Sequence, residues 1–309
     1  MRLPPLLTGM LAMLMIAVTT IVVWIPLAWW IICRLFVRGA ARSRLQRKMD
    51  KIIWWWTGHN RWMLRKLNIT EPEINWQQQD EVSPDNWYLV ICNHQSWTDI
   101  MLLQSYLYGV IPPLKFFTKE QLIWVPGIGV AMYVLGFPYV KRATKAQIKA
   151  NPKLRNADRE NTAAACEGFK NHPTTVLNFI EGTRRTEEKA NRQGSEYQHL
   201  LRPKIGGLDY VLEGMEGHLH KLLDVTIVYP DGVPQFWDFL QGKCRRVIFE
   251  VTPHDIPYAE LADADGNRRA HVAQWIKSIW TAKDARISEL LGVPHTAATA
   301  SNGQSDPAA

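Results

Sequence analysis

Apolar residues follow two patterns along this chain. From Leu3 to Cys33 no charged residue occurs in 31 positions, more than the roughly 20 that a membrane-spanning helix needs. Further on, strand-length runs rich in β-branched residues occupy 87–92, 174–180, 224–229 and 246–251, the signature of buried strands. Helical patterns at 98–108, 154–171 and 207–214 lie between them. A last amphipathic helix near 269–291 aligns Val272, Ile276, Ile279, Trp280, Ile287 and Leu290 on one side. Strands alternating with helices predict an α/β fold: a mixed, mostly parallel sheet flanked by helices, behind an N-terminal membrane-anchoring helical segment. The predicted division is an anchor over 1–33, a basic and Trp-rich juxtamembrane segment over 34–70, and an α/β domain over 85–292. Polar residues 71–84 read as a linker, and 295–309 as a disordered tail.

The flanks of the first segment refine this picture. A cleaved signal peptide has an apolar core of about 7 to 15 residues, so this stretch is too long, and its basic cluster lies on the other side. Arg34, Arg38, Arg42, Arg44, Arg47, Lys48 and Lys51 face one acid, Asp50. The positive-inside rule therefore puts residues 34 onward on the cytoplasmic side, at the inner membrane if the cell is bacterial. Pro26 leaves two geometries open: one spanning helix, or a hairpin broken at the proline and lodged in one leaflet. Trp54, Trp55, Trp56 and Trp62 among Arg61, Arg65 and Lys66 suit a lipid headgroup layer. Residues 122–140 also lack charge, but Pro126, Gly127, Gly129, Gly136 and Pro138 make a poor continuous helix. That stretch reads as a core segment or an apolar ledge resting on the bilayer. Most of the net charge of +7 sits in the juxtamembrane run, which argues against a nucleic-acid partner. The four cysteines lie far apart, as in a reducing compartment.

Candidate chemistry gathers where predicted strands end. The run 87–92 leads into Asn93-His94-Gln95-Ser96-Trp97-Thr98-Asp99. On one continuous helix His94 and Asp99 would point about 140° apart. A strand end, a short turn and a helix opening near Thr98 would let them meet, the carboxylate fixing the tautomer and the second ring nitrogen serving as a base. The same pattern also suits a core histidine beside an aspartate that merely favours a helix N-terminus. A second strand end carries Glu181-Gly182-Thr183-Arg184: close backbone approach, a hydroxyl, and a forked donor for phosphate. A third cluster, 136–142, ends in Lys141 and Arg142, which taken alone suit a solvated basic turn. The chain has no G-x-S-x-G elbow, no H-E-x-x-H and no G-x-x-x-x-G-K-[ST], so serine hydrolase, zinc and P-loop chemistry find no support and no cofactor or metal is expected.

In series these clusters resemble the glycerophospholipid acyltransferase family, with its lysophosphatidate (1-acylglycerol-3-phosphate) acyltransferases. Residues 93–99 are similar to that family's N-H-x4-D block, and 119–129 to the approach to its second block, which Gly136 to Arg142 matches at its glycine and final arginine. Glu181-Gly182-Thr183-Arg184 resembles the third block and Val228-Tyr229-Pro230 the fourth. Pro138-Tyr139 departs from the commoner aliphatic-Phe pair, and Asp231 from the usual apolar residue after the proline. The resemblance implies that His94 deprotonates a glycerol hydroxyl while Asp99 orients it, without an acyl-enzyme. Asn93 would support the histidine loop, and Lys141, Arg142, Glu181, Gly182, Thr183 and Arg184 would hold the acceptor. The implied partners are membrane lipids, a lysophospholipid acceptor and an acyl-CoA or acyl-carrier-protein donor; the implied product is phosphatidic acid. Other lysophospholipids, such as lysophosphatidylglycerol or a lysocardiolipin, are the alternative acceptors, and a non-catalytic membrane lipid-binding protein is the alternative class.

Overall fold

The computed structural model describes residues 3–119, 123–124, 128–140, 154–261 and 267–296. Its first two elements are long helices, α1 (Pro5–Phe36) and α2 (Gly39–Lys66). α1 runs unbroken through Pro26. Of the two geometries left open at that proline, the structure has the unbroken helix: the chain doubles back after α1, at Val37 and Arg38. Antiparallel packing is evident from the contacts, since Lys48 lies over the Trp30 ring, Trp56 Nε1 donates to Thr20 Oγ1, and Val23 and Leu27 pack among Leu45, Met49, Ile52 and Ile53.

The sheet has six strands in the order β1 (Glu71–Trp76), β8 (Arg246–His254), β7 (Leu219–Val228), β2 (Trp87–Cys92), β6 (Thr175–Asn178) and β3 (Leu114–Phe116). Every neighbouring pair is parallel except β7 with β8. β4 (Thr118–Lys119) and β5 (Tyr139–Val140) form a separate parallel pair. Residues 71–76, expected in a linker, instead form the edge strand. Its polar sequence, with Pro72, suits a position where one backbone edge needs no partner.

β2 occupies the middle of the sheet, so both its faces are buried and its sequence is apolar throughout. Tyr88, Val90 and Cys92 face one core and Leu89 and Ile91 the other. The first core is closed by α3 (Thr98–Tyr106), the end of α2 and α8 (Phe236–Leu240). The second is closed by α5 (Leu154–Phe169), α7 (Ile205–Gly214) and α10 (Arg268–Leu291). Between them in sequence lie α4 (Ile128–Val134), α6 (Glu187–Gln193) and α9 (Tyr258–Leu261). Lys283 of α10 is buried beneath β7, paired with Asp224 at 2.6 Å and donating to the Val225 carbonyl.

α1 belongs to this assembly. Ala12 is fully buried in the first core, and a side chain at Gly9 would meet Gln241 at 2.8 Å and Trp237 at 3.2 Å. Thr8, Gly9, Ala12, Thr19, Val23 and Leu27 form its inner stripe; Leu6, Met10, Leu14, Ile21, Ile25 and Trp29 are exposed on its outer one. α2 is fixed to the sheet by a buried ionic cluster, with Asp50 taking His172 Nε2 at 2.6 Å and Lys115 Nζ at 3.1 Å. From the apolar stretch 122–140, Trp124, Val130 and Tyr133 are exposed while Val134, Leu135 and Phe137 pack on α1 and α2, so it is partly core and partly apolar ledge. His295 bonds Ser288 and Thr296 bonds Gln198; the rest of the expected tail lies outside the described residues.

Candidate active site

Because β2, β6 and β7 are parallel neighbours, their C-terminal ends share one edge of the sheet, where open α/β sheets place their ligands. β2 delivers Asn93 and His94, β6 delivers Phe179 to Arg184, and β7 delivers Tyr229. Asn93 is buried, and its amide continues the ladder: Nδ2 donates to the Ile227 carbonyl at 2.8 Å, and Oδ1 accepts the Ile227 N–H at 2.9 Å. This side chain stitches β2 to β7 just as the backbone must leave the sheet. Its position is that of a support for the histidine loop.

The turn after His94 closes so that the histidine and aspartate meet. His94 Nδ1 lies 2.8 Å from Asp99 Oδ2, and the same oxygen accepts the N–H groups of Gln95 at 2.7 Å and Ser96 at 2.8 Å. Asp99, in the first turn of α3, is fully buried. A carboxylate can only accept, so Nδ1 carries a proton, and in the neutral ring the lone pair is on Nε2. The imidazole side chain is 13% exposed, which leaves a way in for a small reacting group. Its ring stacks on Phe179 with centroids 4.0 Å apart and planes at 21°.

Glu181 has a different place from the one expected. It is completely buried, and its oxygens accept the N–H groups of His94 at 2.9 Å and Leu201 at 3.1 Å. Burial pushes its carboxyl up to about 7, against the two backbone donors that pull it down. The His94 carbonyl in turn accepts the Arg185 N–H at 2.7 Å. Glu181 thus holds the histidine backbone in register with the β6 loop, and its expected contact with the acceptor is corrected to this supporting position. The physical reason is that both oxygens are already engaged beneath the surface.

The remaining residues of this loop are accessible. Gly182 has φ +69°, a left-handed conformation that calls for glycine, and the flexible end of the Lys204 side chain lies 2.9 Å from where a Cβ would project. Thr183 Oγ1 accepts from Lys189 Nζ at 3.0 Å, and that ammonium also bonds the Arg184 carbonyl at 2.8 Å. The Arg184 guanidinium sits 4.7 Å above the exposed ring of Trp97, within the histidine turn. Arg184 is thereby brought beside His94. Lys141 and Arg142 lie outside the described residues.

The sequence did not point to Tyr229 or Thr98. The Tyr229 hydroxyl is 2.6 Å from Asp99 Oδ1 and 2.8 Å from Thr98 Oγ1. Tyr229 was legible only as part of a strand end closed by proline; its meeting with Asp99 depends on the β2–β7 register, in which Cys92 pairs with Val225. Together these groups form a partly exposed imidazole, oriented through Nδ1 by a buried carboxylate, with a guanidinium on the adjoining loop. Such an arrangement can draw a proton from a hydroxyl on an anionic substrate.

The fold and site define an α/β protein with an H-x4-D pair at the sheet edge and an E-G-T-R loop beside it. The family model described as Acyltransferase matches residues 73–229, about half of the chain and all three strand ends of the site. The chain belongs to the acyltransferase family. It is similar to lysocardiolipin acyltransferase 1 of Danio rerio, 25% identical over 225 residues that cover 67% of this chain and 53% of that protein. It is also similar to 1-acyl-sn-glycerol-3-phosphate acyltransferase epsilon of Mus musculus, 23% identical with 67% and 58% covered. The chain spans about half the length of the curated relatives it matches. Among solved structures it resembles the 1-acyl-sn-glycerophosphate acyltransferase PlsC of Thermotoga maritima, with TM-score 0.50, 19% identity, and 89% and 94% of the two chains covered. That likeness is one of fold.

Proposed function

We propose that this protein is a membrane-associated O-acyltransferase that moves a fatty acyl group from a thioester donor, acyl-CoA or acyl-carrier protein, to the free hydroxyl of 1-acylglycerol-3-phosphate. The observation that carries the reading is the His94–Asp99 pair: an Nδ1–H held by a buried carboxylate on a partly exposed imidazole, with Arg184 over Trp97 of the same turn. In the reaction His94 Nε2 takes the hydroxyl proton as the acceptor oxygen attacks the thioester carbon. The C–S bond then breaks, and the thiolate leaves with that proton. Asp99 stabilises the imidazolium between these steps. Arg184, with Thr183, Lys141 and Arg142, holds the acceptor phosphate, and Gly182 allows its close approach.

The helical hairpin supports the membrane part of the reading. α1 is long and apolar enough to cross a bilayer, yet its inner stripe is packed on α2 and the α/β domain. A crossing would have to draw the basic α2 alongside it or strip α1 from the domain. An α1 sunk lengthwise in one leaflet, with α2 in the headgroup layer, keeps both sets of contacts. His94 then faces the lipid from the cytoplasmic side, the side of the basic run.

A second acceptor reading, a lysophospholipid phosphodiester such as lysocardiolipin or lysophosphatidylglycerol, is favoured by the likeness to lysocardiolipin acyltransferases. The test is an acceptor screen with purified protein in mixed micelles, each acyl donor supplied in turn and products read by lipid mass. The expected result is faster transfer to the phosphomonoester, with Arg184→Ala weakening that acceptor more than a diester. Equal rates with monoester and diester would favour the second reading, and no product from any pair would overturn the first.

A further inference from the structure

The structure assigns Tyr229 as a positioning residue for the reaction: with Thr98 it braces the Asp99 carboxylate so that Oδ2 stays aimed at His94. This rests on the reading of His94 as base and Asp99 as its orienter. Three donors, His94 Nδ1, Gln95 N and Ser96 N, share Oδ2, more than its two lone pairs accommodate ideally. Among the described residues Oδ1 has one donor, the Tyr229 hydroxyl, at 2.6 Å. An ionised carboxylate cannot donate, so Tyr229 gives its proton to Asp99, and its own oxygen is left to accept from Thr98 Oγ1 at 2.8 Å. The order of donation is therefore fixed: Thr98 to Tyr229, Tyr229 to Asp99. Burial and the adjacent Asp99 anion both push the phenol well above its ordinary range, so it keeps the proton it donates.

The bond joins two strands. Tyr229 follows β7, and Asp99 opens α3 after β2, so the brace ties the carboxylate to the strand that Asn93 already grips through Ile227. With Tyr229 absent, Oδ1 is buried without a partner, and the carboxylate is free to rotate about its Cβ–Cγ bond. Rotation moves Oδ2 off the Nδ1–H axis and loosens the imidazole. The consequence falls on the step in which the ring gains charge, not on substrate binding, because neither hydroxyl faces the opening: Thr98 is fully buried and Tyr229 4% exposed.

Tyr229→Phe is the direct test, since it keeps the ring in the core and removes one oxygen. The expected result is a kcat lower by roughly ten- to a hundredfold, with KM for donor and acceptor changed by no more than about twofold. Thr98→Val, acting one bond further away, gives a smaller loss in kcat of the same kind, and it serves as the readout if Tyr229→Phe does not fold. The phenol acts through Asp99, so Tyr229→Phe added to Asp99→Ala, which leaves nothing to brace, lowers the residual rate no further. An unchanged kcat in Tyr229→Phe while His94→Ala is inactive would overturn the role and leave the base assignment standing. Losses that multiply in the double variant would also overturn it, since Tyr229 would then act independently of Asp99. Full activity in His94→Ala would overturn the base assignment itself, and this role with it.

Discussion

Asp99→Asn changes one atom at the centre of the site, and its effect follows from the hydrogen bonds already there. The asparagine oxygen can take the place of Oδ2, accepting from His94 Nδ1, Gln95 N and Ser96 N. Its amide nitrogen then faces the Tyr229 oxygen, whose proton turns to Thr98 instead. The turn keeps its partners, and loss of charge assistance is offset by relief from burying an anion, so stability changes by no more than about 2 kcal/mol. Catalysis loses more. The imidazolium formed during proton transfer no longer has a counter-charge 2.8 Å from Nδ1, and the expected fall in kcat is roughly a hundred- to ten-thousandfold. That range corresponds to about 3–5 kcal/mol of transition-state stabilisation. The assay is product formation by lipid mass in mixed micelles, with thermal unfolding of the same preparation as control. A rate within about threefold of wild type in a folded variant would refute an orienting role for Asp99.

Three more outcomes follow from the same geometry. Glu181 binds its proton more tightly in the folded protein, at about 7 instead of the ordinary 4.5, so its contribution is fully present below pH 4.5 and is lost as the pH rises through 7. That contribution is about 3 kcal/mol; the melting temperature of wild type relative to Glu181→Gln should fall between pH 5 and pH 8, and a constant difference would contradict the assignment. Asn93→Ala leaves the buried N–H and carbonyl of Ile227 unpaired and should cost about 2–4 kcal/mol in denaturant unfolding; a cost under about 0.5 kcal/mol would show that the stitch is dispensable. On α2 the exposed Lys51, Arg65 and Lys66 flank the half-exposed Trp55 and Trp62. Changing all three cations to Gln should remove about 3 kcal/mol of preference for anionic vesicles over neutral ones, measured by flotation, and an unchanged preference would exclude that face from the headgroup layer.

What could be read in advance depended on how local each signal was. β2 was legible because a central parallel strand is buried on both faces and so is apolar throughout. The ends of α3, α5, α7 and α10 fell within a few residues of their apolar patterns. The edge strand at 71–76 was read as linker because a strand with one partner needs no apolar run, and β3 is too short to show a period. In the site, His94 and Asp99 were legible because a five-residue turn brings them together unaided. Arg184 was legible as a cation on a strand-end loop. Glu181 was found but misplaced, since its partners are backbone N–H groups, which leave no trace in the side-chain pattern. Tyr229 reaches Asp99 across 130 positions, a contact set by the register of two strands. Pro26 left two geometries open because a proline breaks a helix only where outside support is lacking, and the support here comes from α2, a partner distant in the pattern.

The central claim is that His94 Nε2 is the base in acyl transfer to a lysophospholipid hydroxyl. Its most direct test is the rate of phosphatidic acid formation from 1-acylglycerol-3-phosphate and a labelled thioester donor, compared between wild type and His94→Ala in matched, folded preparations. The account predicts clear product from wild type and a loss of roughly a hundredfold or more in the variant; transfer at the wild-type rate by His94→Ala would contradict it.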